Sequence, residues 1–225
     1  MKKLSIIFIL LTIANITFAQ SAKYTSMMEK TITELNNTRD VESLQKVANT
    51  FERIAGAETK EWLPNYYVSY TYMNLAMAHM QKGATEKMVA SVEKAQVFLD
   101  KAKAINAEDS EIYTLQGYIY QGRIWEDPMT NGAKYSPMCY AELGKAIAIN
   151  PENPRPYFIK GQNLFYTPEF FGGGADNAKP SLLTAKEKFA SFKPESSIYP
   201  TWGSQGNDYL LNKIEPKAEP EEKGK

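Results

Sequence analysis

SEIYTLQGYIY at 110–120 and PRPYFIKGQNL at 154–164 decide the fold, because they are one pattern written twice. Tyr113 precedes Tyr157 by 44 residues, and Gly117 precedes Gly161 by the same 44. The offset holds outside the two stretches: Ala102 and Ala146, and Asn106 and Asn150, are also 44 apart, while Pro151 and Pro194 are 43 apart. AELGKAIAINPEN (141–153) closes the first unit and AKEKFASFKPES (185–196) closes the second. A fixed period carrying a large residue, a Gly, an Ala and a terminal Pro is the signature of stacked helix pairs. The two clearest units span about 108–151 and 152–195.

Working outward, the periodicity stays helical. Met88, Val92, Ala95, Leu99 and Ala102 recur at steps of four and three, as do Tyr66, Tyr70, Met73, Met77 and Met80, and then Leu182, Ala185, Phe189 and Phe192. These are stripes of period 3.6, and no run of strict alternation suggests a strand. Capping residues divide the chain. Asp40 starts a helix to about Ala55, Pro64 suits the first turn of one ending near Lys82-Gly83, and Ala84 or Thr85 opens another to about Asn106. Asp109-Ser110 starts the next. Ser136-Pro137 and Asn153-Pro154 each read as an N-cap followed by a proline at the first helical position, and Asp176 starts the last long helix with Pro180 in or near its first turn. With a first helix at about Tyr24 to Leu35, these signals predict an all-α stack of about eight helices and a short one after Pro200.

Tyr113, Gly117 and Tyr120, followed by Ala146 and Pro151, resemble the tetratricopeptide repeat. In that family the first helix of a pair carries a large residue, a Gly four later and an aromatic three after that. Tyr157, Gly161 and Leu164 fit, with Leu for the aromatic. An earlier unit, 64–107, fits loosely: it has no Gly in its first helix, and Ala107 stands where the Pro belongs. The resemblance covers about 60–195 and implies a helical-repeat solenoid with a groove lined by the first helix of each pair. The Gly lets two helices approach closely, which offsets the ~1 kcal/mol that Gly costs inside a helix relative to Ala.

The family period is ~34 residues, and this one is 44. The surplus falls inside each pair, as RIWEDPMTNGAKYSP (123–137) and FYTPEFFGGGADNAKP (165–180). Both read as loop insertions, and loops of such length are often functional. They contain Trp125 and Asp127, then Phe170, Phe171, Gly172, Gly173 and Gly174. The triple glycine leads into a helix, but no Gly-Lys-Ser/Thr follows and no strand precedes it, so a tight turn with positive φ is the better reading than a phosphate cradle. Glu126, Asp127 and Glu169 lack calcium-loop spacing. Trp125, Phe170, Phe171 and Trp202 read first as seals over the core, and alternatively as an aromatic patch.

The ends set the compartment. Met1-Lys2-Lys3, an apolar run from Leu4 to Leu11, and Thr17-Phe18-Ala19 before Gln20 form a signal peptide at 1–19. The run is short of the ~20 residues that span a bilayer, and no Cys follows it to carry a lipid. Export to the periplasm, without a stable membrane anchor after cleavage, is the expectation. Cleavage removes Lys2 and Lys3 from the 26 Lys and Arg, leaving 24 against 26 acidic residues, a net charge near −2. That balance gives no footprint for nucleic acid. The chain has one Cys, Cys139, and one His, His79, so it has no internal disulfide and almost no material for a zinc site. The domain is predicted at 20–214, and EPKAEPEEKGK (215–225) has too little apolar content to fold.

These readings converge on a non-catalytic periplasmic module that binds a protein or peptide and needs no cofactor. The family register places Glu111, Thr114, Tyr118, Gln121, Arg155, Phe158, Gln162 and Phe165 on the groove side. Tyr113, Gly117, Tyr120, Tyr157, Gly161 and Leu164 fall on the core side. The alternative is a small-molecule carrier whose pocket is closed by the two insertions. An enzyme lacks a constellation: there is no Gly-x-Ser-x-Gly, and Cys139 and His79 fall on different predicted helices.

Overall fold

The computed structural model describes residues 22–215, and among them the fold is all-α, with nine α-helices and no strand. The signal peptide predicted at 1–19 and the tail beyond Glu215 lie outside the described residues. The chain divides into two compact units: residues up to 105 together with 195–199, and residues 106–194 together with those from 200 onward.

The first unit holds α1 (22–36), α2 (Val41–Ala57), α3 (Trp62–Gln81) and α4 (Thr85–Ile105). Asp40 caps α2 by accepting a hydrogen bond from the Ser43 amide at 2.9 Å. Gly83, at φ 67°, stops the chain after α3, where a residue with a Cβ would be strained. α3 packs against α2 on one side and α4 on the other. It is therefore buried nearly all round, with Tyr66, Val68, Met73 and Ala76 fully enclosed. The expected stripe does not describe it: Tyr70 and Met77 are half-buried and Met80 is exposed. A helix sandwiched between two others has no polar face to create a stripe. Phe51 stacks on Tyr67 at 5.2 Å, and Trp62 meets Tyr66 and Tyr199 edge-on at 5.6 and 6.3 Å.

The second unit holds α5 (Ser110–Ile124), α6 (Pro128–Ile149), α7 (Arg155–Tyr166), α8 (Ala175–Ser191) and α9 (Ser204–Ile214). α5 packs mainly on α6, and α7 mainly on α8; α9 packs on α8 and α7. The glycine argument holds at both pairs. A Cβ on Gly117 would sit 2.7 Å from Leu143 Cδ2, and one on Gly161 would sit 2.6 Å from Leu182 Cδ2 and 3.3 Å from the Leu182 amide nitrogen.

The insertions are a different matter. The first is mostly helix. Asp127 accepts from the Thr130 amide at 3.2 Å, Pro128 takes the first turn, and α6 then runs through Ser136-Pro137 to Ile149. Ser136 is not an N-cap, because the stronger Asp127-Pro128 start lies nine residues upstream and the helix tolerates an internal proline. In the second, only 167–174 lies outside the flanking helices, and Pro180 lies just past the first turn of α8, near where the sequence puts it. The longer period is largely longer helices. Asn153 does cap α7, accepting from the Arg155 amide at 3.0 Å.

Candidate functional site

The residues expected to line an open groove are enclosed. Glu111, Thr114, Tyr118, Gln121, Arg155 and Phe158 are all 5 % exposed or less, and Gln162 and Phe165 are half-buried. On the expected core side, Gly117 and Gly161 are buried, but Tyr113, Tyr120, Tyr157 and Leu164 are only half-buried. The physical reason lies at the end of the chain. Trp202 stacks on Tyr118 at 6.2 Å, meets Phe158 edge-on at 6.5 Å, and lies 5.9 Å from the Arg155 guanidinium. Gly203, at φ 110°, and Gly206 bring the backbone so close that a Cβ on either would be 2.8 Å from Phe189 or Phe158 respectively. The segment leading into α9 thus covers this face of α5 and α7.

Beneath that cover lies a buried polar network. Glu111 Oε1 accepts from Arg155 Nε at 2.7 Å and from Asn153 Nδ2 at 2.5 Å, and Asn153 also donates to Ser110 Oγ at 2.9 Å. Both charged side chains are fully enclosed. The Arg155 guanidinium also lies 4.4 Å over the Phe192 ring. The pair ties α5 to α7. Sequence reasoning placed both residues but missed their partnership; the signal was there, since opposite charges 44 residues apart occupy equivalent positions in the two repeats.

The loop aromatics divide. Trp125 turns inward, edge-on to Tyr118 at 6.0 Å, and is half-buried like Trp202. Phe170 and Phe171 do not seal anything: they are 91 % and 59 % exposed. Their rings stand 5.2 Å apart at 78°, on a short 3₁₀ turn (Glu169–Phe171). This turn is rigidly built. The amides of Phe171 and Gly173 donate to Pro168, that of Gly172 to Glu169, and that of Gly174 to Leu164. Asn177 Nδ2 donates to the Gly173 carbonyl at 2.9 Å. Gly172 and Gly174 have φ of 80° and 95°, and a Cβ on Gly173 would lie 2.0 Å from the Thr167 carbonyl oxygen. The three glycines serve the turn itself. Tyr166, the last residue of α7 before the turn, is 62 % exposed and stands edge-on to Phe165 at 5.1 Å; sequence reasoning did not single it out.

Asp127 is a helix cap, and hydrogen bonds from Thr130 hold its carboxyl below the usual carboxylate range. Glu126 and Glu169 are exposed, and among the described residues no three His, Cys, Asp or Glu side chains converge to hold a metal. Cys139 is fully buried on α6, which pushes its thiol up to about 12. His79 is half-buried in the last turn of α3, and burial, then Lys87 and Lys82, lower its pKa. No described helix is long and apolar enough to cross a membrane.

No family model and no curated protein matches the chain. Among solved structures, the HusA haemophore from Porphyromonas gingivalis matches with a TM-score of 0.76 and 28% identity, over 88% of this chain and 95% of that one. The neighbour carries a small molecule. This overturns the expectation of a protein- or peptide-binding module and moves the weight to the carrier alternative.

Proposed function

We propose that this chain is an exported, non-catalytic carrier of a flat apolar small molecule of the haem class. The observation that carries the reading is the likeness to a haemophore over nearly the whole of both chains. The leader-like residues 1–19 support export, with the periplasm as the destination. The 44-residue period and the paired glycines support a tetratricopeptide-type helical repeat as the scaffold.

The rigid aromatic turn is the part of the chain best suited to hold such a ligand. Phe170, Phe171 and Tyr166 present ring surface to solvent on a backbone that needs no ordering when a ligand arrives. Stacked aromatic contacts contribute about 0.5–1.5 kcal/mol each beyond area burial. The chain offers one His and one buried Cys, and neither lies in the turn. Ring stacking is the proposed holding force, and binding of the iron-free ring separates it from coordination by a group such as the Tyr166 phenol. Titration with haemin, followed by the Soret band, should show saturable binding. Iron-free protoporphyrin should bind comparably. Phe170→Ser with Phe171→Ser should weaken both by about tenfold or more, since 1.4 kcal/mol is a factor of ten, with an unchanged circular dichroism spectrum. Absence of haemin binding to folded protein would reject the function; binding untouched by the double substitution would reject the turn as its site.

A further inference from the structure

The charge beside the aromatic turn is set by α9, which belongs to the same compact unit. Three contacts fix its course. Gly206 sits so close to Phe158, in the first turn of α7, that a Cβ would lie 2.8 Å from the ring. Asn207 Nδ2 donates to the Leu182 carbonyl of α8 at 3.0 Å. Glu215, just past the end of α9, pairs with Lys179 near the start of α8. α9 therefore runs alongside α7 toward the end at which the turn leaves it and α8 begins. At a helical rise of ~1.5 Å per residue, Gly206 to Lys213 covers about 10 Å and Phe158 to Tyr166 about 12 Å, which brings Lys213 level with Tyr166.

Lys213 is exposed, and its Nζ lies 5.0 Å over the ring of Tyr209, itself 54 % exposed one helical turn earlier. Tyr209, through a side-chain hydrogen bond, and then Tyr166 hold the Lys213 pKa above the ordinary lysine value, so the side chain stays charged. It forms no ion pair among the described residues, whereas Lys179 is taken by Glu215. The acids at this end, Glu169 in the turn and Asp176 in the first turn of α8, are exposed, so an incoming carboxylate is repelled by them unless it lies beside a cation. Exposed ring surface with a single uncommitted ammonium at its edge complements a flat ligand that carries an acidic group on its rim.

Resting on the reading of the turn as a ring-binding site, we propose that Lys213 pairs with a carboxylate on the edge of the bound ring, so that the site takes an acidic flat ligand in preference to a neutral one. Protoporphyrin and its dimethyl ester share one ring and differ in that charge. Their binding to the purified protein, followed by porphyrin fluorescence at neutral pH, tests this. The free acid should bind severalfold more tightly than the ester, and rising salt should erase the difference. Lys213→Gln should bring the acid down to the affinity of the ester and leave the ester unchanged. Lys213→Arg should keep the preference, because the charge remains. The side chain is exposed, so neither variant threatens the fold. Equal binding of acid and ester, or a preference that Lys213→Gln leaves intact, overturns the proposal while the turn stands as a site for neutral rings. If neither ring binds folded protein, the carrier reading is rejected and this proposal with it.

Discussion

Glu111 and Arg155 are the charged side chains that the second unit encloses completely. Desolvating two charges is expensive, and their attraction together with the bonds from Asn153 offsets it only while all members are present. Removing one strands the other. Glu111→Ala should therefore destabilise the protein by about 3–5 kcal/mol in denaturant unfolding, a large share of a typical domain's stability. A loss below about 1 kcal/mol would mean water reaches Arg155 in solution. Tyr118→Ala with Phe158→Ala belongs to the same argument. On an open groove the double substitution would spare the fold; since both rings are buried against Trp202, it should lower the melting temperature.

At the scale of the element, the glycines and the prolines make opposite predictions. Gly117 faces Leu143 with no room for a Cβ, so Gly117→Leu should destabilise by about 1–3 kcal/mol through overpacking. Pro137 is exposed in the middle of α6, where it removes one hydrogen bond of the helical ladder. Pro137→Ala should raise the melting temperature; a proline at the first helical position, as the sequence suggested, would give no such gain. The asymmetry shows what was legible. Asp40, Asp109 and Asn153 act as caps because capping is decided within three residues of chain. Gly117 and Gly161 were legible because their repetition marks a contact. The insertions were misread because Ser136-Pro137 and Asp127-Pro128 are both valid starts, and local chemistry alone does not choose between them. The covered face was not legible at all: a repeat period says which positions are equivalent, not that Trp202, from far along the chain, will lie across them. Nor does the spelling Phe-Phe-Gly-Gly-Gly reveal that its rings stand outward while Gly173 is buried against Thr167.

For the whole molecule, stability rests on packing, with Cys139 enclosed and its thiol kept protonated by burial. Melting should be the same with and without reductant. Alkylation of Cys139 by iodoacetamide at pH 8 should wait for unfolding, so its rate measures how often the second unit opens. Prompt labelling of folded protein would contradict the enclosure of α6. A saturating haem-class ligand should slow that labelling, because binding to the native state alone stabilises it by mass action, by about 2.7 kcal/mol at a hundredfold excess over Kd.

The division of the chain carries one more consequence. Neither compact unit is an unbroken stretch of sequence: residues 195–199 belong with the first, although the second begins at 106 and resumes at 200. Trp62 meets Tyr199 across that long excursion. A gene cut after codon 105 would yield a front half without the Tyr199 that Trp62 meets. A nick after residue 105 leaves the strip at 195–199, which belongs with the first unit, on the other fragment.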